Sequence, residues 1–125
     1  MSQSMNRVIL TGNLTRDPEI KQANSGVAIC ELGVAVNDRK KINGEWTDHA
    51  SFFDVTVFGH TAEACGKYLS RGKPVAVDGK LEQQRWEKDG EKRSKVVVIA
   101  QQVQFLGGRD EAPGTPVDTS DFADF

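Results

Sequence analysis

The sequence predicts an all-β fold with one helix, a five-stranded antiparallel Greek-key barrel in which the helix lies between strands 3 and 4. Three observations support it: five segments have the spacing of strands, one segment changes to helical spacing, and glycine, proline, asparagine or aspartate separates them. At 125 residues, the chain is long enough for one domain with its own core. We expect this domain to cover residues 1–106, followed by a disordered acidic tail over residues 107–125.

The first two predicted strands cover residues 6–14 and 27–37. Asp17 and Pro18 end the first strand, because proline cannot donate to a sheet ladder and aspartate favours turns. A turn at residues 24–26 precedes the second strand, which has alternating apolar residues and a more polar opposite face. The apolar residues are Ala28, Cys30, Leu32, Val34 and Val36. This pattern predicts a long, half-buried strand.

The third predicted strand, residues 50–59, has aromatic rings on both faces. One face is an apolar row that suits a core, and it consists of Phe53, Val55 and Val57. Phe52 and Phe58 lie on the other face with Asp54 and Thr56. Large rings on a polar face suit a flat ligand such as a nucleobase. The alternative is that a loop, the following helix or a subunit interface covers them.

A polar segment, residues 38–48, joins the second and third strands and contains the turn dipeptide Asn43-Gly44. We expect a hairpin loop here. The loop carries a basic run and a tryptophan: Arg39, Lys40, Lys41 and Trp46.

The predicted helix covers residues 60–70, where the apolar residues change to helical spacing. Its apolar stripe consists of Ala62, Cys65, Tyr68 and Leu69. Thr61 is the expected N-cap and Gly72 the expected C-terminal stop.

The fourth and fifth strands are predicted over residues 74–86 and 95–106, with a turn at residues 88–90. Val75, Val77 and Leu81 share one face of the fourth strand, while Lys80 and Trp86 share the other. Three strands, a helix and two strands form the order of an OB-fold, whose open face and loops commonly bind oligonucleotides. A five-stranded mixed sheet is the alternative, because order alone does not determine strand pairing.

Composition limits the class of protein. The net charge of −2 combines a mildly basic body and an acidic tail, since residues 1–106 hold 15 Lys and Arg against 13 Asp and Glu. No apolar run is long enough for a membrane helix and no secretory signal is present, so we expect a cytoplasmic protein. Cys30, Cys65, His49 and His60 are isolated from one another in sequence. We interpret the cysteines as small buried hydrophobes and expect no metal or other cofactor.

The chain resembles the bacterial single-stranded DNA-binding protein family. The resemblance extends over roughly a hundred residues and combines motifs that are individually weak. The matching segments are residues 6–14, Asp17-Pro18, Phe58-Gly59, Ala62-Glu63, Tyr68-Leu69, Gly72, Val75, Gly79, Leu81, Trp86 and residues 105–108. The resemblance implies a homotetrameric OB-fold that binds single-stranded DNA without catalysis, is associated with the nucleoid, and acts in replication, recombination and repair.

The resemblance and the residue types together indicate two kinds of DNA contact. Phe58 and Trp86 match family positions that stack on bases, and Phe52 matches a position where the family often has tryptophan. We expect all three to stack on bases, and Trp46 either adds a fourth ring or packs against its own barrel. Lys40 stands where the family often has another aromatic residue. The predicted phosphate contacts are Arg39, Lys40, Lys41, Lys73, Lys80 and Arg85, with Lys88 and Arg93 as further candidates.

The C-terminal tip forms the second predicted site, for replication and repair proteins. It consists of Asp121, Phe122, Ala123, Asp124 and Phe125. A terminal ring beside carboxylates suits a basic pocket with an apolar floor. The usual family tip has several aspartates followed by Ile-Pro-Phe; this chain retains only the final phenylalanine of that ending.

Two other classes of function remain open at this level. A nuclease on the same barrel would need clustered carboxylates, whereas those of the body are scattered singly. An adaptor that binds protein or structured RNA would use Phe52 and Phe58 as interface residues instead of base platforms.

Overall fold

The computed structural model describes residues 3–107, which form six strands and one helix. In chain order these are β1 (Val8–Leu14), β2 (Glu19–Gln22), β3 (Ala28–Ile42), β4 (Glu45–Phe58), α1 (His60–Tyr68), β5 (Pro74–Lys88) and β6 (Glu91–Phe105). No helix within residues 3–107 has the length and apolar character needed to cross a membrane. The predicted tail beyond Gly107, including the tip at residues 121–125, lies outside the described residues.

Five of the strands close into a barrel. The pairings run in the order β1, β5, β6, β4 and β3, and β1 also pairs with β3, which completes the ring. All of these pairings are antiparallel except the short contact between β4 and β6, which is parallel. This closed ring with one helix confirms the predicted barrel class and is consistent with an OB-fold, although the prediction of purely antiparallel pairing is wrong at β4–β6.

The barrel interior is lined by the alternating apolar positions of its strands. The largest of the fully buried side chains are Leu32, Val34, Val55, Val57, Val75, Val77 and Val98. Ala62 and Cys65 of helix α1 belong to this cluster, and so does Leu69, the residue after the helix. The β3 row and most of the β4 row therefore lie on the faces that their period of two predicted.

Cys30 and Cys65 are fully buried in this core, as predicted. Burial raises the pKa of the Cys30 thiol to about 11 and that of the Cys65 thiol to about 12. Both side chains therefore remain neutral thiols near pH 7 and pack as small apolar groups.

The predicted loop at residues 38–48 is wrong, because these residues continue the two strands. β3 extends to Ile42 and β4 begins at Glu45, so only Asn43 and Gly44 form the turn. Their φ angles of 53° and 85° are both positive, as a two-residue type I′ turn requires. Asp89 and Gly90 join β5 and β6 in the same way, with φ angles of 53° and 80°. We call residues 37–50 the first arm and residues 83–96 the second arm.

Several helix details also differ from the prediction. The N-cap is Gly59, with φ 74° and ψ −145° and no side-chain cap, so Thr61 lies inside the helix. The helix ends at Tyr68 because Leu69 is already extended, and Gly72 belongs to the following turn. Tyr68 is 60% exposed and its ring centroid is 6.4 Å from that of Phe105, outside the barrel core.

Two predicted core residues are only partly covered. Phe53 and Leu81 are on the inward rows of β4 and β5, but they are 37% and 45% exposed. Both lie near the end of the barrel from which the arms extend, three and two residues from the first and second arm.

The outer surface of β1, β5 and β6 carries a shallow groove of about 530 Å³. Both polar and apolar residues line the groove: Arg7, Ile9, Thr11, Ala76, Val77, Asp78, Gln102 and Gln104. Arg7 donates to both carboxylate oxygens of Asp78, at 3.1 and 2.7 Å, and this hydrogen bonding lowers the pKa of Asp78. Ile9 is 64% exposed in this surface, which we call the β1 face.

Candidate nucleic-acid interface

Three predicted rings share one face of the β3–β4 ribbon. The register places Phe58 opposite Ile29, Phe52 opposite Ala35 and Trp46 opposite Lys41. These pairs are separated by even numbers of residues, so their side chains project to the same side. The side to which they project is the one opposite the buried row of β4. Strand geometry therefore aligns the three rings along about 40 Å of β4.

The same face continues across β6 to β5. The parallel contact pairs Thr56 with Ile99, and Ile99 in turn faces Lys80 on β5. Continuing along β5 by even steps reaches Trp86, which faces Arg93 at the second arm. We call this outer surface of β3, β4, β6 and β5 the ring face.

All four rings are accessible on this surface. Their exposed fractions are 71% for Phe52, 47% for Phe58, 43% for Trp86 and 62% for Trp46. No loop or helix of the described residues covers them. Trp46 lies on the first arm, so the alternative that it packs against its own barrel does not hold.

The register also separates the predicted cations into three groups. Those on the ring face are Arg39, Lys41, Lys80, Lys88 and Arg93. Lys40 and Arg85 are one residue out of phase, so they project from the reverse side of their arms. Lys73 lies in the turn before β5, at the opposite end of that strand from Trp86. Lys40, which stands where an aromatic residue was expected, is therefore not part of the ring face.

Carboxylates accompany several of the ring-face cations. Arg39 Nε is 3.5 Å from Asp48 Oδ1 across the first arm, and Arg93 Nη2 is 3.2 Å from Glu91 Oε2 on the second. These pairs are exposed, so they are weak and are exchangeable for other anions. A phosphate group that binds here competes with a carboxylate of the protein.

Sequence reasoning did not identify Arg16 and Lys95 as residues of this surface. Lys95 Nζ is 3.2 Å from Asp54 Oδ2, and Arg16 Nη2 is 3.7 Å from Asp54 Oδ1. The alternation of β4 predicts the side of Asp54, but the approach of both cations depends on tertiary structure. Their positions in sequence carry no signal for it.

The described residues contain no group of three or more His, Cys, Asp or Glu side chains placed to hold a metal ion. His60 Nδ1 lies 3.2 Å from Glu63 Oε2 at the start of α1. The surface thus consists of rings, cations and exposed carboxylates, a composition suited to stacking and charge pairing.

Comparison with known proteins agrees with this architecture. Residues 5–106 match the model of the Single-strand binding protein family. A single-stranded DNA-binding protein from Treponema pallidum is 46% identical over 103 residues, which are 82% of this chain and 58% of that protein. One from Wolinella succinogenes is 41% identical over 111 residues, covering 87% of this chain and 68% of that protein.

Two solved structures have the same fold. The single-stranded DNA binding protein from Thermus aquaticus, in a deletion mutant, superimposes with a TM-score of 0.76 at 36% identity, over 87% of this chain and 54% of that one. Plasmodium falciparum SSB, in its complex with ssDNA, gives 0.79 at 22% identity, over 85% of this chain and 98% of that one. The match over residues 5–106 shows that the chain belongs to the Single-strand binding protein family.

Proposed function

We propose that this chain binds single-stranded DNA without sequence preference and without catalysis. The observation that carries the proposal is the alignment of four exposed rings and at least five cations on one continuous sheet face. Every base has a flat surface that can stack on a ring, and every nucleotide has a phosphate that can pair with a cation, so such a face is indifferent to sequence. In a cell the protein would coat and protect unpaired DNA on the nucleoid during replication, recombination and repair.

Titration with oligo-dT tests this function, because Trp46 and Trp86 lie on the proposed interface. We expect strong quenching of tryptophan fluorescence, with log affinity falling against log salt by about 0.7 for each phosphate neutralised. A duplex of the same length is the control and should bind far more weakly. No quenching at low salt would exclude the proposal, and shortening of the oligonucleotide would favour the nuclease.

The chain is further proposed to act as a homotetramer. The β1 face supports this, since Ile9 and Ala76 leave an apolar strip in the middle of a hydrogen-bonding surface formed by Thr11, Gln102 and Gln104. An outer sheet face of this composition suits contact with a second copy of the same surface. Ala76 and Asp78 of the β1 face lie on the same outer side of β5 as Lys80 and Trp86 of the ring face, but in an earlier part of the strand. None of the four rings lines the β1 face.

The third part of the proposal is that residues 121–125 recruit replication and repair proteins. The support is the sequence, which ends in two phenylalanines and two aspartates within five residues. Deleting residues 121–125 should leave oligo-dT affinity unchanged or higher and abolish the capture of such proteins from a nuclease-treated bacterial lysate. Deletion of residues 112–116 is a control of equal length. Loss of DNA binding in the first variant would contradict this function of the tip.

A further inference from the structure

A carboxylate, Asp54, lies on the ring face between two of its rings. It follows Phe52 by two residues and precedes Phe58 by four, all on the same side of β4. The strand rise places it about 7 Å from the first and about 13 Å from the second along the strand. Nucleic acid that stacks on both rings must therefore pass close to this negative charge.

Two cations from different parts of the chain hold the Asp54 carboxylate. Lys95 comes from β6 and donates to Oδ2 at 3.2 Å, while Arg16 comes from the bend after β1 and lies 3.7 Å from Oδ1. Each oxygen thus faces one positive group. The three side chains are about half exposed, at 50% for Asp54 and 47% for both cations, so a ligand can reach all of them.

The backbone around this cluster leaves room for Arg16. Gly33 is directly opposite Asp54 on β3, and the Thr15 N–H donates to the Gly33 carbonyl at 2.9 Å. A Cβ atom at residue 33 would lie 2.7 Å from Arg16 Nη1 and 2.5 Å from Thr15 Oγ1, closer than real Cβ contacts. The absence of a side chain at this position therefore allows Arg16 to reach across β3 to Asp54.

We propose that Asp54 acts as an internal substitute for a DNA phosphate, occupying Lys95 and Arg16 until a strand displaces it. This inference rests on the proposed function and adds a regulating residue to the same site. Lys95 and Arg16 pair with phosphates only in the fraction of bound strands that displaces the carboxylate, and the displaced carboxylate remains between the rings. Asp54 thereby limits the number of phosphates that the ring face neutralises and promotes release of the strand.

The opposite role is physically distinct. If Asp54 served to orient Lys95 and Arg16 toward phosphates, its removal would leave the two cations misplaced and would weaken binding. The substitute role predicts tighter binding after removal. The sign of the change in affinity therefore separates the two roles.

The test compares Asp54→Asn with the wild-type full chain in oligo-dT titrations over a series of salt concentrations. We expect about three- to tenfold tighter binding at low salt, and a salt slope steeper by about 0.7 for each cation released to a phosphate. Glu87→Gln is the matched control, because Glu87 is an exposed acid on the reverse side of the second arm. This control should leave the slope unchanged. In a Lys95→Gln background, the gain from Asp54→Asn should fall.

Each result decides the proposal. Equal or weaker binding by Asp54→Asn overturns it, provided that the urea unfolding midpoint shows a folded protein, and Asp54→Ala gives a second reading if asparagine disturbs folding. An equal gain in Glu87→Gln also overturns it, since the effect would then be one of net charge. Failure of the wild-type chain to bind oligo-dT overturns the proposed function itself, whereas normal wild-type binding with no gain in Asp54→Asn overturns only this inference.

Discussion

Replacing Phe52 and Phe58 together by alanine is expected to weaken oligo-dT binding by about 30-fold or more. Each ring offers a stacking surface worth roughly 1–3 kcal/mol per base, and the two lie about 20 Å apart along β4, far enough for their contributions to be nearly additive. The cations of the ring face are unchanged in this variant. The salt slope should therefore stay the same while the affinity falls, as measured by tryptophan fluorescence.

Tyr68→Ala is the matched control for this experiment, because it also removes an exposed ring but lies at the end of α1. Its oligo-dT affinity should remain close to that of the wild-type protein. The urea midpoint of each variant checks that the barrel has folded. Binding of the double variant within twofold of the wild type would contradict the assignment of the two phenylalanines as base platforms and favour the adaptor function.

Ile9→Glu is expected to break the proposed tetramer. Ile9 is 64% exposed on the β1 face, so glutamate there should be tolerated by the barrel itself. In a symmetric contact both copies carry the substitution, so two carboxylates replace two apolar groups in the interface. Burying them would cost several kcal/mol of association free energy. Analytical ultracentrifugation should show the mass falling from four chains of 13.7 kDa to two or one.

Ile42→Glu is a control for that variant. Ile42 is also an exposed isoleucine on a strand, but it lies at the tip of the first arm, beside the turn at Asn43 and Gly44. The Ile42→Glu protein should have the mass of the wild-type assembly. An unchanged mass for Ile9→Glu would exclude the β1 face as a subunit interface, and a single-chain mass for the wild-type protein would exclude the tetramer.

The barrel was predictable because its signals are local. The inward residues of β3 alternate with half-buried ones from Ala28 to Leu32, and this period identifies both the strand and its buried side. β2 was not predicted, since all four of its residues are exposed and show no alternation. It exists because Ile20 and its neighbours pair with β3, a contact that depends on tertiary structure.

The length of the arms is not evident from composition, for a related reason. Residues 38–48 are polar and charged, a composition that resembles a loop, yet the ladder from Asp38–His49 to Ile42–Glu45 is regular. The Asn43-Gly44 dipeptide was the better signal, because its two positive φ angles define a hairpin with no further loop residues. Reading the turn as two residues instead of eleven would also have predicted the sides of Lys40 and Lys41.

The ring face was predictable in part. The two faces of β4 were evident from its alternation, and Trp86 has the same placement on β5. The separation of Lys40 and Arg85 from the other cations was not evident, because it requires the register of both arms. Arg16 and Lys95 both approach Asp54, although they are 38 and 41 residues away from it in the sequence. No local sequence pattern predicts contacts at that separation.

The two faces of β4 also determine how this strand can evolve. Val55 and Val57 are buried in the core, while Phe52 and Phe58 are exposed on the other side of the same backbone. Insertion or deletion of one residue would reverse the alternation, sending rings inward and valines outward. Sequence drift in this segment is therefore restricted to substitution, or to a one-residue insertion that a β-bulge absorbs, as the irregularity at Asp78 and Gly79 does between β5 and β6.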